Sequence, residues 1–587
     1  MINKMKLGYV IAWAFFSFAA CKKEAPATDR VVYGASYRVN IATDKAFYKP
    51  GDKIEFSIDK DLAGSPKVRY KLLNNVIQEV SLTGNTWSWT APAADFTGYM
   101  VEVYDVVDKE EKIYCTIGVD VSSDPARFPR NAFLSEYGAI GNEQIGKVMK
   151  QLNRYHMNWV QFQDWEYKHH KPLAGTPESP SEQWIDIASR TNYLTTVKGY
   201  IDAAHSYNMK TLSYNLCYGS LSDAASDGVS EEWYAYTDKN HTAKDKFELP
   251  KPPFKSDIMF MNPGNKGWQD YIIAANNNLY KVFDFDGYQI DQVGNRNKTL
   301  YDYNGNAFDL PTGFKSFINA MKTGAPHKSL VMNAVTQYGQ EQIATSPVDF
   351  LYSEVWAPDE GYKDLARIIQ ANNSLSNNKK STVLAAYMNY NVASNKGYFN
   401  TPGVLFTDAV IFAFGASHLE LGEHMLGKEY FPNNNLEMKD DLKAAMISYY
   451  DFLVGYQNLL RDGGTFNNPV VASADGKIKL NNWPPQSGQV SVIGKSVGNK
   501  QVVHLINFAT ASSFDWRDTN GTQTAPQLIS SAKVKVTTEK SVKKVWVASP
   551  DVNGGASTQL AFTQSGNETS FTLPSLKYWD MVVMEYE

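Results

Sequence analysis

Two carboxylates that end predicted strands are the strongest candidates for chemistry in this sequence. Asp291 follows an alternation of polar and apolar residues within Phe285-Asp-Gly-Tyr-Gln-Ile-Asp-Gln-Val-Gly294, and Glu354 ends Phe350-Leu-Tyr-Ser-Glu354. Alternation with a period of two predicts a strand with one polar face. A pair of carboxylates can divide the work of a proton donor and of a nucleophile or general base. The alternative is that Asp291 only caps a turn or the next helix, as aspartates often do.

These two strands belong to a longer series in which strands and helices alternate. The predicted strands are Ala132–Tyr137, Trp159–Gln163, Thr211–Asn215, Asp286–Asp291, Ser329–Asn333, Phe350–Glu354, Val383–Tyr387 and Ala409–Phe414. Apolar residues spaced three and four apart, as in Ile145, Val148, Met149 and Leu152, predict helices between them. Eight such repeats predict a (β/α)8 TIM barrel. A doubly wound open sheet is the competitor, but no Gly-rich phosphate-binding fingerprint follows any strand.

The segments on either side of the series contain strands without helices. We predict an N-terminal immunoglobulin-like β-sandwich at residues 31–124, the catalytic barrel at 125–464 and a C-terminal β-sandwich at 465–587. A length of 587 residues suits several domains. The formal net charge of −5 gives no reason to expect a nucleic-acid partner.

The first residues are typical of an export signal. Lys4 and Lys6 precede the apolar run Leu7–Ala20, and small residues come directly before Cys21. We predict a lipoprotein signal peptide at residues 1–21, lipidation of Cys21 and a tether at 22–30. The chain would then be an outer-membrane lipoprotein whose membrane contact is its lipid anchor. The alternative is a plain secretory signal with a chance cysteine.

Metals and cofactors are not expected. Cys115 and Cys217 fall in separate predicted domains and are interpreted as buried free thiols. No Cys/His cluster has the spacing of a structural zinc site. His169 and His170 are adjacent, so we expect their side chains to diverge.

Polar and aromatic side chains accumulate where the predicted barrel strands end. Because a barrel collects these ends in one ring, residues far apart in sequence can meet there. The predicted substrate-binding residues are Gln163, Asp164, Trp165, Asn215, Tyr218, Gln289, Asn333, Trp356, Tyr387, Asn389, His418, Glu420 and Glu423.

Within this ring, the two carboxylates suit glycoside hydrolysis. That reaction uses one acid on the leaving oxygen and a second carboxylate that attacks the sugar or activates water. Asp291 and Glu354 lie on predicted strands four and six, with one strand between them. Amides and aromatic rings nearby can bind sugar hydroxyls and stack on sugar faces. The alternative is that one of the two acids is structural and is paired with an arginine of the barrel.

Three motifs resemble those of glycoside hydrolase family 66: Phe285–Gly294, Asn158-Trp-Val-Gln-Phe-Gln-Asp-Trp165 and Tyr352-Ser-Glu-Val-Trp356. That family contains endo-dextranases and cycloisomaltooligosaccharide glucanotransferases. The resemblance implies a retaining mechanism on α-1,6-glucan, with Asp291 as nucleophile and Glu354 as general acid/base. It also implies that Asp164 grips sugar hydroxyls near the cleaved bond.

The chain departs from the family pattern at Gln163, Tyr288 and Ile290, where the family more often has Tyr, Trp and Gly. The family's glucanotransferases typically carry a carbohydrate-binding module late in the barrel, whereas a short loop separates Asn391 from Ala409 here. We therefore expect a monomeric endo-acting dextran hydrolase that releases isomaltooligosaccharides. The alternatives are a cycloisomaltooligosaccharide glucanotransferase, a glycosidase of another α-linkage and a non-catalytic glycan-binding surface lipoprotein.

Overall fold

A central sheet of eight parallel strands organises the structure, a computed structural model that describes residues 39–587. The predicted signal peptide, Cys21 and the tether lie outside these residues. Neighbours in the sheet follow one another in chain order. Barrel strands 1 to 8 are Asn131–Leu134, Trp159–Phe162, Lys210–Leu216, Gly287–Asp291, Ser329–Val335, Leu351–Glu354, Thr382–Ala385 and Ser417–Leu419. The predicted TIM barrel is confirmed.

The sheet closes into a cylinder between barrel strands 1 and 8 with little backbone pairing. The Phe133 backbone N–H donates to the Leu421 carbonyl, 3.1 Å away. Beyond Leu134, the backbone N–H groups of Ser135 and Glu136 donate instead to Glu423 Oε1 at 2.8 and 3.1 Å. A side chain from beyond strand 8 therefore completes the closure.

One helix follows each barrel strand. In order they are Asn142–Arg154, Leu194–Ser206, Lys266–Tyr280, Leu310–Gly324, Gln340–Ala344, Tyr362–Leu375, Thr401–Ala413 and Asp440–Gly455, with a short helix Gln457–Leu460 behind the last. Short ladders in the loops join Gln183–Ile185 with Thr191–Tyr193, Gly219–Ser220 and Lys246–Phe247 with Ile258–Phe260, Leu300–Tyr301 with Ala307–Phe308, and Gly397–Tyr398 with Leu436–Glu437. Single turns of 3-10 helix occupy Ala224–Asp227, Glu231–Trp233, Val392–Ser394 and Asn553–Gly555.

The predicted strand Ala409–Phe414 is wrong. Its first five residues belong to the helix Thr401–Ala413, and the eighth strand is Ser417–Leu419. This helix is buried on every side from Gly403 to Ala413, so its sequence has no polar face. A short run that is apolar throughout does not distinguish a buried strand from a buried helix.

In barrel strands 3 and 4, the side chains that face the barrel interior change from apolar to polar toward the C-terminal ends of the strands. Leu212 pairs with Gly287, and Tyr214 pairs with Gln289, so these four side-chain positions face inward together. A Cβ atom at Gly287 would lie 2.8 Å from Leu212 Cδ2 and 2.3 Å from the Ser329 carbonyl oxygen. Only glycine fits at that level, and the polar residues Gln289 and Asp291 come above it.

The N-terminal strands form the predicted immunoglobulin-like sandwich. One sheet contains Ile41–Thr43, Lys53–Ile58 and Thr86–Thr90, and the other contains Asn75–Ser81, Lys67–Leu72, Thr97–Val107 and Glu110–Val121. The last barrel helix packs closely on the second sheet, where Cβ atoms at Gly98 and Gly118 would meet its carbonyl oxygens at 2.1 and 2.5 Å. Asp451 of that helix accepts from the Gly118 N–H at 3.0 Å.

The C-terminal strands form the second predicted sandwich. Its larger sheet contains Thr465–Asn467, Leu480–Asn482, Val490–Val497, Lys500–Asn507, Trp579–Tyr586, Val542–Ala548 and Thr558–Leu560. The smaller sheet contains Val471–Ser473, Ile529–Thr537, Glu568–Leu576 and Phe562–Ser565. The connection between Asn507 and Ile529 leaves the sandwich and contacts the barrel.

Cys115 and Cys217 are buried and unpaired, as predicted. Among residues 39–587, no helix combines the length and the apolar character needed to cross a membrane.

Candidate active site

The two predicted catalytic carboxylates meet at one side-chain amide. Asn333 Nδ2, on barrel strand 5, donates to Asp291 Oδ1 at 2.9 Å and to Glu354 Oε2 at 2.8 Å. These two oxygens can therefore be no further apart than 5.7 Å, the sum of the 2.9 and 2.8 Å contacts. Both carboxylates lie at the C-terminal end of the barrel, where TIM-barrel active sites are built.

Asp291 accepts hydrogen bonds on both of its oxygens. The Tyr214 hydroxyl donates to Oδ2 at 2.8 Å, and the Gln292 backbone N–H donates to Oδ1 at 2.8 Å. Burial raises the pKa of Asp291, while the donors Asn333, Tyr214 and Gln292 oppose that rise. Donors aimed at a carboxylate favour its ionised form, so this site is built to hold Asp291 as an anion.

Glu354 lies in a less favourable environment for a negative charge. The Tyr387 hydroxyl donates to Oε1 at 2.8 Å. Burial, followed by the charge of Asp291, raises the pKa of Glu354 to about 7. Hydrogen bonds from Asn333, Tyr387 and Trp356 only partly oppose this rise. The pair therefore combines an ionised carboxylate with a carboxyl group that keeps its proton near neutral pH, which is the division of roles that acid catalysis needs.

A cavity of about 310 Å³ opens over the two carboxylates. Besides them it is lined by the predicted residues Gln163, Asp164, Gln289, Asn333, Trp356 and Tyr387. Other residues in its wall are Gln161, Tyr214, Phe247, Gln292, Val293, Val335, Tyr352, Glu429 and Phe431. Amides, hydroxyls and aromatic rings around an acid pair suit a ligand with many hydroxyl groups and flat apolar faces.

Asp164 is held at the cavity wall in an unusual backbone conformation. Its φ is +46°, in the left-handed region that non-glycine residues rarely adopt. Arg190 donates to its backbone carbonyl at 2.9 Å. Burial, together with the nearby charge of Glu166, raises the pKa of Asp164 to about 7. A half-buried acid with a strained backbone on a cavity wall is a candidate for direct contact with a ligand.

Three predicted residues of barrel strands 2 and 3 lie outside the cavity wall. Trp165 is fully buried against Phe283 and Phe285. Asn215 donates to the His169 carbonyl at 2.7 Å, and Tyr218 packs on aromatic rings of the neighbouring loop and helix. Asn215 pairs with the outward-facing Ile290, which explains why it points away from the barrel axis.

The predicted residues Asn389, His418, Glu420 and Glu423 also lie outside the cavity wall. Asn389 donates to the Asp518 carbonyl at 2.7 Å. His418 and Glu420 are buried together behind the barrel, and Glu423 holds the junction of strands 1 and 8. Asn389, Glu420 and Glu423 come beyond the ends of strands, where loop conformation sets the direction of a side chain. His418 is the middle residue of strand 8 and pairs with Leu384, so strand alternation turns it away from the barrel axis.

The sequence did not indicate Tyr214, which contacts Asp291 directly. It lies between Ser213 and Asn215, and these polar neighbours mark the wrong face of the strand. The inward direction of Tyr214 could have been found from its partner on the next strand. Tyr214 pairs with Gln289, and residues paired across parallel strands face the same way. Tyr352, another missed residue, faces the cavity in the same way two positions before Glu354.

Among the residues that the structure describes, two clusters have ligand types and spacing that suit a metal: His170 with Asp223 and Asp227, and Asp408 with His418 and Glu420. In the first, Lys168 bridges the two aspartates at 2.7 and 2.8 Å. His169 turns instead toward Glu166, at 2.7 Å, so the adjacent histidines diverge as expected.

In the second cluster, His418 Nδ1 lies 2.9 Å from Asp408 Oδ1 and Nε2 lies 2.7 Å from the Ala386 carbonyl. Burial alone would lower the pKa of His418, but Glu420 and Asp408 raise it well above its ordinary value. Nε2 faces a carbonyl acceptor and therefore donates to it, while Nδ1 shares its hydrogen bond with Asp408.

Comparison with known proteins finds one family along most of the chain. The profile described as Glycosyl hydrolase family 66 matches residues 43–583. A cycloisomaltooligosaccharide glucanotransferase from Niallia circulans is 27% identical over 749 aligned positions, which cover 100% of this chain and 75% of that protein. A dextranase from Streptococcus salivarius is 23% identical and covers 83% of this chain and 67% of its own length.

A solved structure shows the same architecture. It is a cycloisomaltooligosaccharide glucanotransferase from Paenibacillus sp. in complex with cycloisomaltoheptaose, with a TM-score of 0.85 and 25% identity. The match covers 94% of this chain and 100% of the solved one.

Proposed function

The chain belongs to glycosyl hydrolase family 66, and from this premise we propose that it is a retaining, endo-acting hydrolase of α-1,6-glucan. The observation that carries the proposal is the shared contact of Asp291 and Glu354 with Asn333 Nδ2. Retaining glycosidases hold their two carboxyl groups about 5–5.5 Å apart, and inverting ones about 6.5–9.5 Å. The limit of 5.7 Å set by the 2.9 and 2.8 Å contacts favours the retaining class.

In the first step, Glu354 gives its proton to the glycosidic oxygen while Asp291 attacks the anomeric carbon. The bond from that carbon to the glycosidic oxygen breaks, and the cleaved chain leaves as an alcohol. The raised pKa of Glu354, about 7, keeps this proton available near neutral pH. Tyr214 and Asn333 hold the Asp291 carboxylate toward the cavity until it bonds to the sugar.

In the second step, Glu354 acts as a base. Its carboxylate takes a proton from water, the water oxygen attacks the anomeric carbon, and Asp291 leaves as a carboxylate. The glucosyl-enzyme is thereby hydrolysed with retention, and Glu354 is again protonated. Asp164 is proposed to hold sugar hydroxyls beside the reacting carbon, with Trp356 and Phe247 offering aromatic faces.

Hydrolysis is favoured over transfer by the chain between barrel strand 7 and its helix. Only residues 386–400 connect Ala385 with Thr401, which leaves no room for an inserted module. The match to the Niallia circulans glucanotransferase spans 749 positions against the 587 residues of this chain, a difference of 162. That relative therefore contains residues within the matched region that this chain lacks.

Transfer to form cyclic isomaltooligosaccharides is the second candidate. Two of the matched relatives, both from Niallia circulans, are cycloisomaltooligosaccharide glucanotransferases at 27% and 28% identity. The glucosyl-enzyme is common to both reactions, so the outcome depends on whether water or a sugar hydroxyl reaches it.

Product analysis separates these candidates. We expect dextran to lose viscosity early and to yield linear isomaltooligosaccharides, with pullulan and galactan unchanged. Asp291→Asn and Glu354→Gln should each abolish this hydrolysis in folded protein. Cyclic products would support the glucanotransferase, and cleavage of galactan or of the α-1,4 bonds of pullulan would replace the linkage assignment. Near-normal activity in either variant would remove that residue from its role. Binding of dextran without any cleavage would support a glycan-binding protein.

We also propose that the protein acts as a monomer anchored to the outer membrane through lipidated Cys21. The proposed anchor rests on the lysines, apolar run and small residues that precede this cysteine. Labelling with a radioactive fatty acid should modify the wild type and leave Cys21→Ser unlabelled. Label in the variant would contradict the anchor.

A further inference from the structure

A guanidinium group of the C-terminal sandwich contacts the backbone of the active site. Arg517 lies in the connection between the strands Lys500–Asn507 and Ile529–Thr537. Its Nη1 donates to the Tyr387 carbonyl at 3.0 Å, and its Nη2 donates to the Val355 carbonyl at 2.9 Å. One side chain thus joins the ends of barrel strands 6 and 7.

The residues that Arg517 holds are the immediate neighbours of Glu354. Val355 follows Glu354 in the chain, and Tyr387 donates its hydroxyl to Glu354 Oε1 at 2.8 Å. The guanidinium carbon also lies 5.1 Å from the centre of the Trp356 ring, within the range of a cation–π contact. Arg517 therefore contacts the backbone of the residue after Glu354, the backbone of Tyr387, whose hydroxyl bonds to the Glu354 carboxyl group, and the ring of Trp356.

The connection that carries Arg517 is itself firmly placed on the barrel. Trp516 is fully buried and donates its indole N–H to the Asp359 carbonyl at 2.7 Å. Thr407, on the helix after strand 7, donates to the Trp516 carbonyl at 2.6 Å. On the other side, Asn389 donates to the Asp518 carbonyl at 2.7 Å. A guanidinium anchored on both sides can fix the direction of the groups it binds.

We propose that Arg517 is a positioning residue for proton transfer, through which the C-terminal sandwich holds Glu354 in line with the glycosidic oxygen. The inference rests on the proposed role of Glu354 as proton donor. Two parallel donors on a planar group bind two carbonyls at once, which a lysine ammonium cannot do with the same geometry. Small displacements of a catalytic group lower rates strongly, by about 100-fold for about 1 Å.

The experiment compares a substrate that needs the proton with one that does not. When dextran is cleaved, the leaving sugar departs as an alcohol and must receive a proton from an acid. α-Isomaltosyl fluoride releases a fluoride ion, which needs no such proton. The ratio kcat/KM reports the steps up to the first irreversible one, so it measures formation of the glucosyl-enzyme for both substrates. We expect Arg517→Gln to lower kcat/KM on dextran about 10- to 100-fold and to change it less than about threefold on the fluoride.

Arg69→Gln is the matched control for loss of a buried guanidinium. Arg69 pairs with Glu102 and Glu111 in the N-terminal sandwich, so its loss tests general destabilisation and should leave both ratios unchanged. Equal losses on both substrates, or no loss on dextran, in Arg517→Gln would overturn the inference. If Arg517→Gln does not fold, Arg517→Lys is the second variant. It should also lose more kcat/KM on dextran than on the fluoride, by a smaller factor, and an equal effect on the two substrates would overturn the inference.

Glu354→Gln separates this inference from the proposed function. If Glu354→Gln lowers both ratios equally, the role of Glu354 as proton donor fails. If Glu354→Gln loses more kcat/KM on dextran than on the fluoride and Arg517→Gln does not, only the positioning role of Arg517 fails.

Discussion

Asp291 and Glu354 accept hydrogen bonds from the same nitrogen atom, the side-chain amide of Asn333. An amide nitrogen has two hydrogens, so each carboxylate receives one of them. The distance between the two acids is thereby set from barrel strand 5, which lies between the strands that carry them. A single residue controls both the spacing and the charge balance of the pair.

Replacing this donor should disable the site while preserving its shape. Asn333→Asp has nearly the same size but offers acceptors in place of the N–H groups, so it adds repulsion to both carboxylates. We expect kcat on dextran to fall by about 100-fold or more, since a lost donor in a preorganised site costs about that much. Circular dichroism should stay native. Activity within about threefold of the wild type would contradict a role for the shared donor.

The Tyr214 hydroxyl should tune the acid limb of the pH profile. It donates to Asp291 Oδ2 at 2.8 Å and favours the ionised carboxylate. Without it the pKa of Asp291 rises further, so Tyr214→Phe should shift the acid limb of kcat/KM to higher pH and lower its maximum by about tenfold, or about 1.4 kcal/mol. Tyr288→Phe, a buried tyrosine on the outer face of barrel strand 4, is the control. An unmoved acid limb in Tyr214→Phe would argue against this hydrogen bond.

Azide should distinguish the roles of the two acids. In Glu354→Ala, the glucosyl-enzyme still forms from an activated substrate such as α-isomaltosyl fluoride, and azide can replace water without a general base. The product expected is the azide with the α configuration of the substrate. In Asp291→Ala, azide occupies the place of the lost nucleophile and should give the β azide instead. Nuclear magnetic resonance of the products decides this, and the same anomer from both variants would contradict the double displacement.

Replacing Glu354 with glutamine should stabilise the folded protein at high pH. The folded state raises the pKa of Glu354 from 4.5 to about 7, so the wild type loses stability as pH rises through that window. Glu354→Gln has no proton to lose. We expect the variant to gain on the order of 1–3 kcal/mol relative to the wild type between pH 4 and pH 8. Melting temperatures across this range test the sign, and a difference that does not grow with pH would contradict it.

The sequence predicts the meeting of Asp291 and Glu354 because an acid at the end of an alternating strand has a fixed direction. Barrel strand 3 is harder, since Leu212 precedes Tyr214 on the inner face and makes it resemble an ordinary core face. The contact of Arg517 with Tyr387 joins residues 130 positions apart. It depends on how two domains dock, which no local pattern records.

The eighth strand illustrates a different limit. Ala409–Phe414 is apolar throughout because its helix is enclosed by the barrel and the C-terminal sandwich, so hydrophobicity alone does not reveal its period. The true strand, Ser417–Leu419, has three residues. So short a strand shows no measurable alternation. The prediction of His418, Glu420 and Glu423 as ring residues follows from placing the strand end at Phe414.

The junction of barrel strands 1 and 8 has a consequence for how the cylinder opens. There the amides of Ser135 and Glu136 bond to the carboxylate of Glu423, so that stretch of the wall is fastened by a side chain that rotamer motion can release. The other strand pairs share backbone ladders that separate only when several bonds break together. Local unfolding should therefore begin along this junction, with barrel strands 1 and 8 separating from each other before any other pair of neighbouring strands does.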